Sequence, residues 1–293
     1  MKIARYRYQG AECYGVLDKQ KVLCLPALAK RLKKELPGRI EDFIAKESAL
    51  KTAEVLLTKT KSSDIEAVSA TLDTVVLLAP LLFPPKIICL GRNYKDHSAE
   101  MKVPPPDEPV IFMKPHTTII GPDEKIIKPK FVKELDYEGE LAIVIGKKAK
   151  NVPVEKAQEA IFGYTVFNDV SARDFQFKDG QWTRGKSFDT FAPTGPYITT
   201  KAQLPDTSNL RLRTWVNGEL RQNASTSNMA LNVSQIVYHL SRVMTLEPCD
   251  VIATGTPSGV GFAMKPPRFL KQGDVVRIDI EGIGALENTV IEE

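Results

Sequence analysis

Glu138 and Glu140 stand two residues apart at the head of the run Gly139-Glu140-Leu141-Ala142-Ile143-Val144-Ile145-Gly146, which is otherwise apolar and strand-forming. In a strand, residues i and i+2 point to one face. Two acids on one face of a buried strand are costly unless something positive sits between them. A divalent cation with oxygen ligands meets that need. A third acid, Asp169 in Asn168-Asp169-Val170-Ser171, falls at the end of the next strand-like segment. A strand–helix–strand unit of that length brings strand ends together, so Glu138, Glu140 and Asp169 are the candidate metal ligands. An all-oxygen set favours Mg²⁺, Mn²⁺ or Ca²⁺ over zinc or copper. Spacing alone leaves a second reading open, with Glu138 an exposed strand-end acid and Asp169 a turn residue.

Acid–base groups are few, because the chain has only His97, His116 and His239. His239 reads as a helix histidine packed in Ile236-Val237-Tyr238-His239-Leu240, and His116 as peripheral. His97 differs in having Glu100 three residues on, which puts both on one helical face. A carboxylate beside an imidazole orients it and raises its basicity, as a general base requires. A plain surface His–Glu pair is the alternative on these residues alone. Lys186 follows Gly185 and has the reach to meet a substrate carboxylate or a developing oxyanion. The glycines around it lack phosphate-loop spacing. Thr254-Gly255-Thr256-Pro257-Ser258-Gly259-Val260-Gly261 is rich in glycine and hydroxyl groups, and it either offers N–H groups to an anion or makes a tight turn.

The elements that must position these groups follow from pattern. Residues 2–8, 12–17 and 21–25 read as strands, and 27–36, 40–45 and 50–57 as helices. A proline-rich stretch, 79–85, reads as an extended linker. The expected division is a small N-terminal domain over 1–72, a linker over 73–85 and a main domain over 86–293. In the main domain, 87–91, 110–113, 125–127, 162–170 and 251–254 read as strands and 93–101 as a brief helix. Asn217-Gly218 marks one hairpin and 281–284 another. Val233–Met244 has the pattern of an amphipathic helix. Strands outnumber helices without alternating with them, so a βαβ nucleotide fold is not expected.

Composition excludes more than it assigns. Hydrophobic residues make up 43% and charged residues 26%, an ordinary globular balance, and the net charge of +4 is too weak to imply nucleic acid. Its basic excess lies in the first 72 residues and reads as a solvated face. No apolar run approaches a membrane span and no signal peptide is evident. Cys13, Cys24, Cys89 and Cys249 are scattered, and read as buried thiols in a reducing, cytoplasmic compartment.

Five segments in order resemble the fumarylacetoacetate hydrolase family. They are Gly91-Arg92-Asn93-Tyr94 with His97, Asp136-Tyr137-Glu138-Gly139-Glu140-Leu141-Ala142, Asn168-Asp169-Val170-Ser171-Ala172-Arg173-Asp174, Gly185-Lys186-Ser187-Phe188-Asp189 and Thr254 to Gly261. The resemblance covers over two-thirds of the chain, from about Lys86 to the end. It implies an α+β fold with a mixed β-roll core, preceded here by a small α/β N-terminal domain, and commonly a homodimer. It also implies that Glu138, Glu140 and Asp169 bind Mg²⁺ or Mn²⁺, with Ca²⁺ as a further option. His97 and Glu100 would form a water-activating dyad on a lid helix, with Lys186 completing the catalytic set. Arg173, Gln176 and Thr256 would contact substrate. Arg92, Asn93 and Tyr94 offer no counterpart to the extra acid ligand of the longer tyrosine-breakdown enzyme, which points to the smaller members. The implied activity is metal-dependent C–C hydrolysis of acylpyruvates, such as fumarylpyruvate or acetylpyruvate. Oxaloacetate decarboxylation or keto–enol tautomerisation at the same site is the alternative, and in every case the partner is a small 2-oxo acid.

Overall fold

The computed structural model describes residues 1–178 and 180–293. The fold is mixed α/β, organised by a twelve-stranded sheet. Its principal strands are β1 (Lys2–Tyr8), β2 (Ala11–Asp18), β3 (Lys21–Cys24), β4 (Ile87–Gly91), β5 (Val110–Lys114), β6 (Gly139–Ile145), β7 (Ile161–Asn168), β8 (Ala192–Thr200) and β9 (Val251–Ala253). They run in the order β3-β2-β1-β8-β7-β6-β9-β4-β5. Neighbours along this path are antiparallel except β9 and β4, which are parallel. Lys2 and Ile3 of β1 pair with Thr199 and Ile198 of β8, so the N-terminal strands continue the sheet. A second, five-stranded sheet carries Lys125–Lys128, the Arg211–Val216 and Glu219–Ser225 hairpin, and the Val275–Ile280 and Gly284–Glu292 hairpin.

The acidic strand β6 is buried along its whole length. Its side chains alternate between two cores. Leu141, Ile143 and Ile145 pack with Ile88, Leu90, Tyr164 and Ile252, while Ala142 and Val144 pack with Ile87, Cys89, Phe162 and Val251. A strand covered on both faces reads as a continuous apolar run, which explains its composition. Each fully buried aliphatic side chain contributes roughly 1.5–3 kcal/mol of hydrophobic stabilisation. That burial holds the sheet rigid beneath the acids at its end.

The cysteine expectation is corrected in part. Cys89 and Cys249 are free and buried, but Cys13 and Cys24 form a disulfide. They lie on β2 and β3, antiparallel neighbours, which brings their Cα atoms to 6.4 Å. Strand pairing makes this contact and an 11-residue separation does not reveal it. Cysteine usage therefore gives no argument for a reducing compartment. Among the described residues, no helix is long and apolar enough to cross a membrane.

Candidate metal centre and active site

The three acids meet. One ligand atom each of Glu138, Glu140 and Asp169 lies within 4.8 Å of the others, and all three side chains are buried. Glu138 immediately precedes β6, Glu140 is its second residue, and Asp169 follows the end of β7. Gly139 pairs with Asn168, which sets the two strand ends side by side. The Asp169 N–H donates to Glu138 O at 2.9 Å and the Glu138 N–H to Asn168 Oδ1 at 3.1 Å, closing the corner.

Three buried cations surround these acids. Lys186 Nζ donates to Glu138 Oε2 at 2.9 Å and to Asp169 Oδ2 at 2.7 Å. Lys114, the last residue of β5, donates to Asp169 Oδ1 at 2.5 Å and to Val170 O at 3.2 Å. Arg173 lies on a helix, α1 (Arg173–Gln176). Its guanidinium reaches Asp136 Oδ2 through Nε at 2.9 Å, Glu138 Oε1 through Nη1 at 2.7 Å and Gln176 Oε1 at 2.8 Å. Four carboxylates, counting Asp136, thus face three cations, all of them buried. A buried charge is tolerated where it is paired, and the unpaired position falls on Glu140. Its Oε2 accepts the Gly255 N–H at 2.7 Å, and its Oε1 is buried with no hydrogen-bond partner. Gly255 has φ +94°, and a Cβ there would press on Asn93, so glycine is what lets this N–H reach the acid.

The pKa shifts divide the acids in the same way. Burial raises Glu140 well above the ordinary carboxylate value, and the charges of Asp169 and Glu138 raise it further. Burial also works to raise Glu138, but Lys186 and Arg173 outweigh it and bring it down to about 2. Burial works to lower Lys186, yet Asp169 and Glu138 leave it raised. Of Glu138 and Glu140, Glu140 is therefore the one whose charged form the site disfavours. The orphaned Glu140 oxygen, the all-oxygen donor set and the excess negative charge fit a hard divalent cation held by Glu138, Glu140 and Asp169.

His97 and Glu100 lie on one short helix, Lys95–Glu100. His97 Nδ1 stands 3.1 Å from Glu100 Oε2, and the Gly259 N–H donates to Glu100 Oε1 at 3.1 Å. With the proton on Nδ1, Nε2 is left as the acceptor. The helix is tied down at its start, where Asp96 accepts from the His97 N–H at 2.8 Å and from Ser258 Oγ at 3.1 Å. Asn93 fixes the approach to it by donating to Leu231 O and Thr254 O and accepting from the Leu231 N–H. His97, Glu138, Arg173, Gln176, Lys186 and Thr256 all line one small cavity of about 50 Å³. Thr256 Oγ1 donates to Gly139 O at 3.0 Å and accepts from Gln222 Nε2 at 2.8 Å, which anchors the glycine-rich loop beside the acids.

Every residue given a metal, catalytic or substrate role from sequence therefore falls in or beside one cavity, whereas Lys114 and Asp136 carried no assigned role. Asp136 accepts from the N–H groups of Gly261 and Phe262 as well as from Arg173. The available signals were weak. Lys114 ends an apolar strand two residues after Phe112 on the same face, and Asp136 interrupts an apolar approach to Glu138.

Fold and site together define a mixed-sheet protein with a buried carboxylate centre for a hard divalent cation. The chain belongs to the fumarylacetoacetate (FAA) hydrolase C-terminal family, whose model matches residues 86–291. It is 53% identical over 219 residues to an uncharacterised protein of Archaeoglobus fulgidus, covering 75% of this chain and 84% of that one. It is 47% identical over 259 residues to the mitochondrial oxaloacetate tautomerase fahd2 of Xenopus laevis, covering 87% and 79%. Among solved structures, the fumarylacetoacetate hydrolase of Exiguobacterium antarcticum superposes with a TM-score of 0.84 at 39% identity over the whole of both chains. A maleylpyruvate hydrolase of Sphingobium sp. SYK-6, in complex with manganese(II) and pyruvate, gives 0.81 at 31% identity, covering 100% of this chain and 99% of that one. Catalysis of this family's kind on a small 2-oxo acid, at a centre suited to a divalent metal, is what these relatives support.

Proposed function

We propose that this protein is a divalent-metal-dependent oxaloacetate keto–enol tautomerase. The observation that carries the reading is that His97 of the dyad and Glu138 of the acid cluster line the same small cavity, with Glu100 behind the imidazole and Glu140 and Asp169 grouped around Glu138. The 47% identical Xenopus laevis relative bears the tautomerase name, which favours the same reaction. An Mg²⁺ or Mn²⁺ ion held by the three acids would supply Lewis-acid polarisation of the 2-oxo acid.

The chain's own residues would do the rest. His97 Nε2 takes a proton from C3 of the keto form, and Glu100 stabilises the imidazolium through Nδ1. Lys186 Nζ is placed to give a proton to the oxygen on C2, and Glu138 and Asp169 keep that ammonium charged. The bond changes balance, since the C3–H bond and the π bond of the C2 carbonyl are lost while the O–H bond and the double bond between C2 and C3 are gained. The apolar side chains Phe112, Phe177, Trp182 and Phe262 around the cavity keep bulk water from the exchanging proton.

A second reading, hydrolysis of acylpyruvates, is favoured by the same dyad, because a base that takes a proton from carbon can take one from water. The 31% identical maleylpyruvate hydrolase supports it. One panel separates them, with oxaloacetate, acetylpyruvate and fumarylpyruvate each assayed with Mg²⁺ or Mn²⁺. Loss of enol absorbance without CO₂ or pyruvate release is the outcome expected for tautomerisation. Pyruvate release from an acylpyruvate with no effect on oxaloacetate would replace that reading with hydrolysis.

A further inference from the structure

Arg92 lines the same cavity, and it is the one lining cation that its neighbours leave unspent among the described residues. Arg173 and Lys186 are committed to Asp136, Glu138 and Asp169. Arg92 has no ion pair among the described residues, and its Nε is buried without a hydrogen-bond partner. A desolvated guanidinium donor left unpaired is costly, and an arriving carboxylate relieves it. The planar fork of arginine matches a carboxylate in two parallel hydrogen bonds.

The backbone supports the same conclusion. Arg92 has φ +60°, a left-handed conformation that a residue with a Cβ seldom adopts. Its neighbours enforce it. Ser98 Oγ donates to Arg92 O at 3.0 Å, and the buried Asn93 side chain is fastened to Leu231 and Thr254. Strain of this kind persists where surrounding structure over-determines it, and it gathers at ligand clamps. On the preceding residue, Gly91, a Cβ would collide with the Trp182 ring, so glycine there lets the indole close the wall beside Arg92.

We infer that Arg92 binds the second carboxylate of the substrate, the one remote from the metal, and so selects diacids over monoacids. This assignment rests on the oxaloacetate reading, and its test is built to fail separately. The kinetic arm compares oxaloacetate with its 4-methyl ester, which lacks the remote charge, in Mg²⁺-loaded protein. For Arg92→Met, kcat/KM on oxaloacetate should fall about 10- to 100-fold, mostly through KM, while the ester changes less than about 3-fold. Arg92→Lys should recover part of the loss, because it restores the charge without the fork.

The binding arm needs no turnover. Tryptophan fluorescence of the Mg²⁺-loaded protein, with Trp182 in the wall, is titrated with oxaloacetate and with 2-oxobutyrate. Wild type should bind the diacid more tightly, and Arg92→Met should abolish that difference while leaving 2-oxobutyrate unchanged. If wild type fails to tautomerise oxaloacetate yet shows this Arg92-dependent preference, the reaction assignment falls and the Arg92 assignment stands. A folded Arg92→Met or Arg92→Gln protein that keeps the diacid preference, or loses both ligands equally, overturns it.

Discussion

Lys114 Nζ stands 2.5 Å from Asp169 Oδ1, an ion pair fully buried at the end of β5 and 55 residues apart in the chain. Lys114 is not among the residues that line the cavity, so its part is to hold Asp169 in place. Burial lowers its pKa, with Asp169 opposing. Removing one member of a buried pair strands the other, at a cost of about 3–5 kcal/mol. Lys114→Met should therefore lower unfolding stability by roughly that amount. Because Asp169 then lacks one partner, added Mn²⁺ should raise the melting temperature of the variant by more than that of wild type. Equal Mn²⁺ shifts in the two proteins would remove Lys114 from the metal centre.

The His97–Glu100 contact predicts a division between chemistry and binding. His97→Ala should reduce kcat by about 10²- to 10⁴-fold, the range for a lost general base. Glu100→Gln should have a smaller effect, since it removes the charge that stabilises the imidazolium but keeps an acceptor. Mn²⁺ affinity by calorimetry should be unchanged in both variants. A His97→Ala enzyme of wild-type kcat would make the histidine structural only.

If Glu140 is a ligand as proposed, metal binding should depend on pH. Burial and two neighbouring carboxylates raise its folded pKa above the ordinary 4.5. A raised acid pKa means that the folded, ion-free protein holds a proton that the unfolded chain releases above 4.5. Stability of the ion-free protein should therefore fall as pH rises through the window above that value. A cation takes the place of that proton, so Mn²⁺ affinity should rise with pH across the same window. Calorimetric titration in two buffers of different ionisation enthalpy should detect a released proton, and Glu140→Gln should not release it. Buffer-independent heats for wild type would contradict the assignment.

The site was more legible in the sequence than the frame that holds it. Glu138, Glu140 and Asp169 could be singled out because acids inside apolar strand runs break a local pattern. The companions were hidden by distance. Lys114 at a strand end looks like any solvated lysine until Asp169 is placed against it, and Cys13 looks like a free thiol until β2 pairs with β3. The central strand β8 has no assignment from sequence, and it carries Pro193, Gly195 and Pro196, residue types that strands seldom hold. They are tolerated because the β8–β7 register shifts between Tyr164 and Val166, opposite this segment, where the ladder is already interrupted. Helix ends slipped by a few residues for an ordinary reason. The helix expected over 27–36 occupies Leu25–Arg31, with Pro26 in its first turn, where a proline is tolerated.

The most direct measurement is the rate of enol-to-keto conversion of oxaloacetate, followed by ultraviolet absorbance, with Mg²⁺ and then with excess chelator. The account predicts acceleration well above the buffer rate with Mg²⁺, its loss on chelation, and no acceleration by Glu138→Ala in either condition. An undiminished rate with chelator present, or in Glu138→Ala, would contradict it.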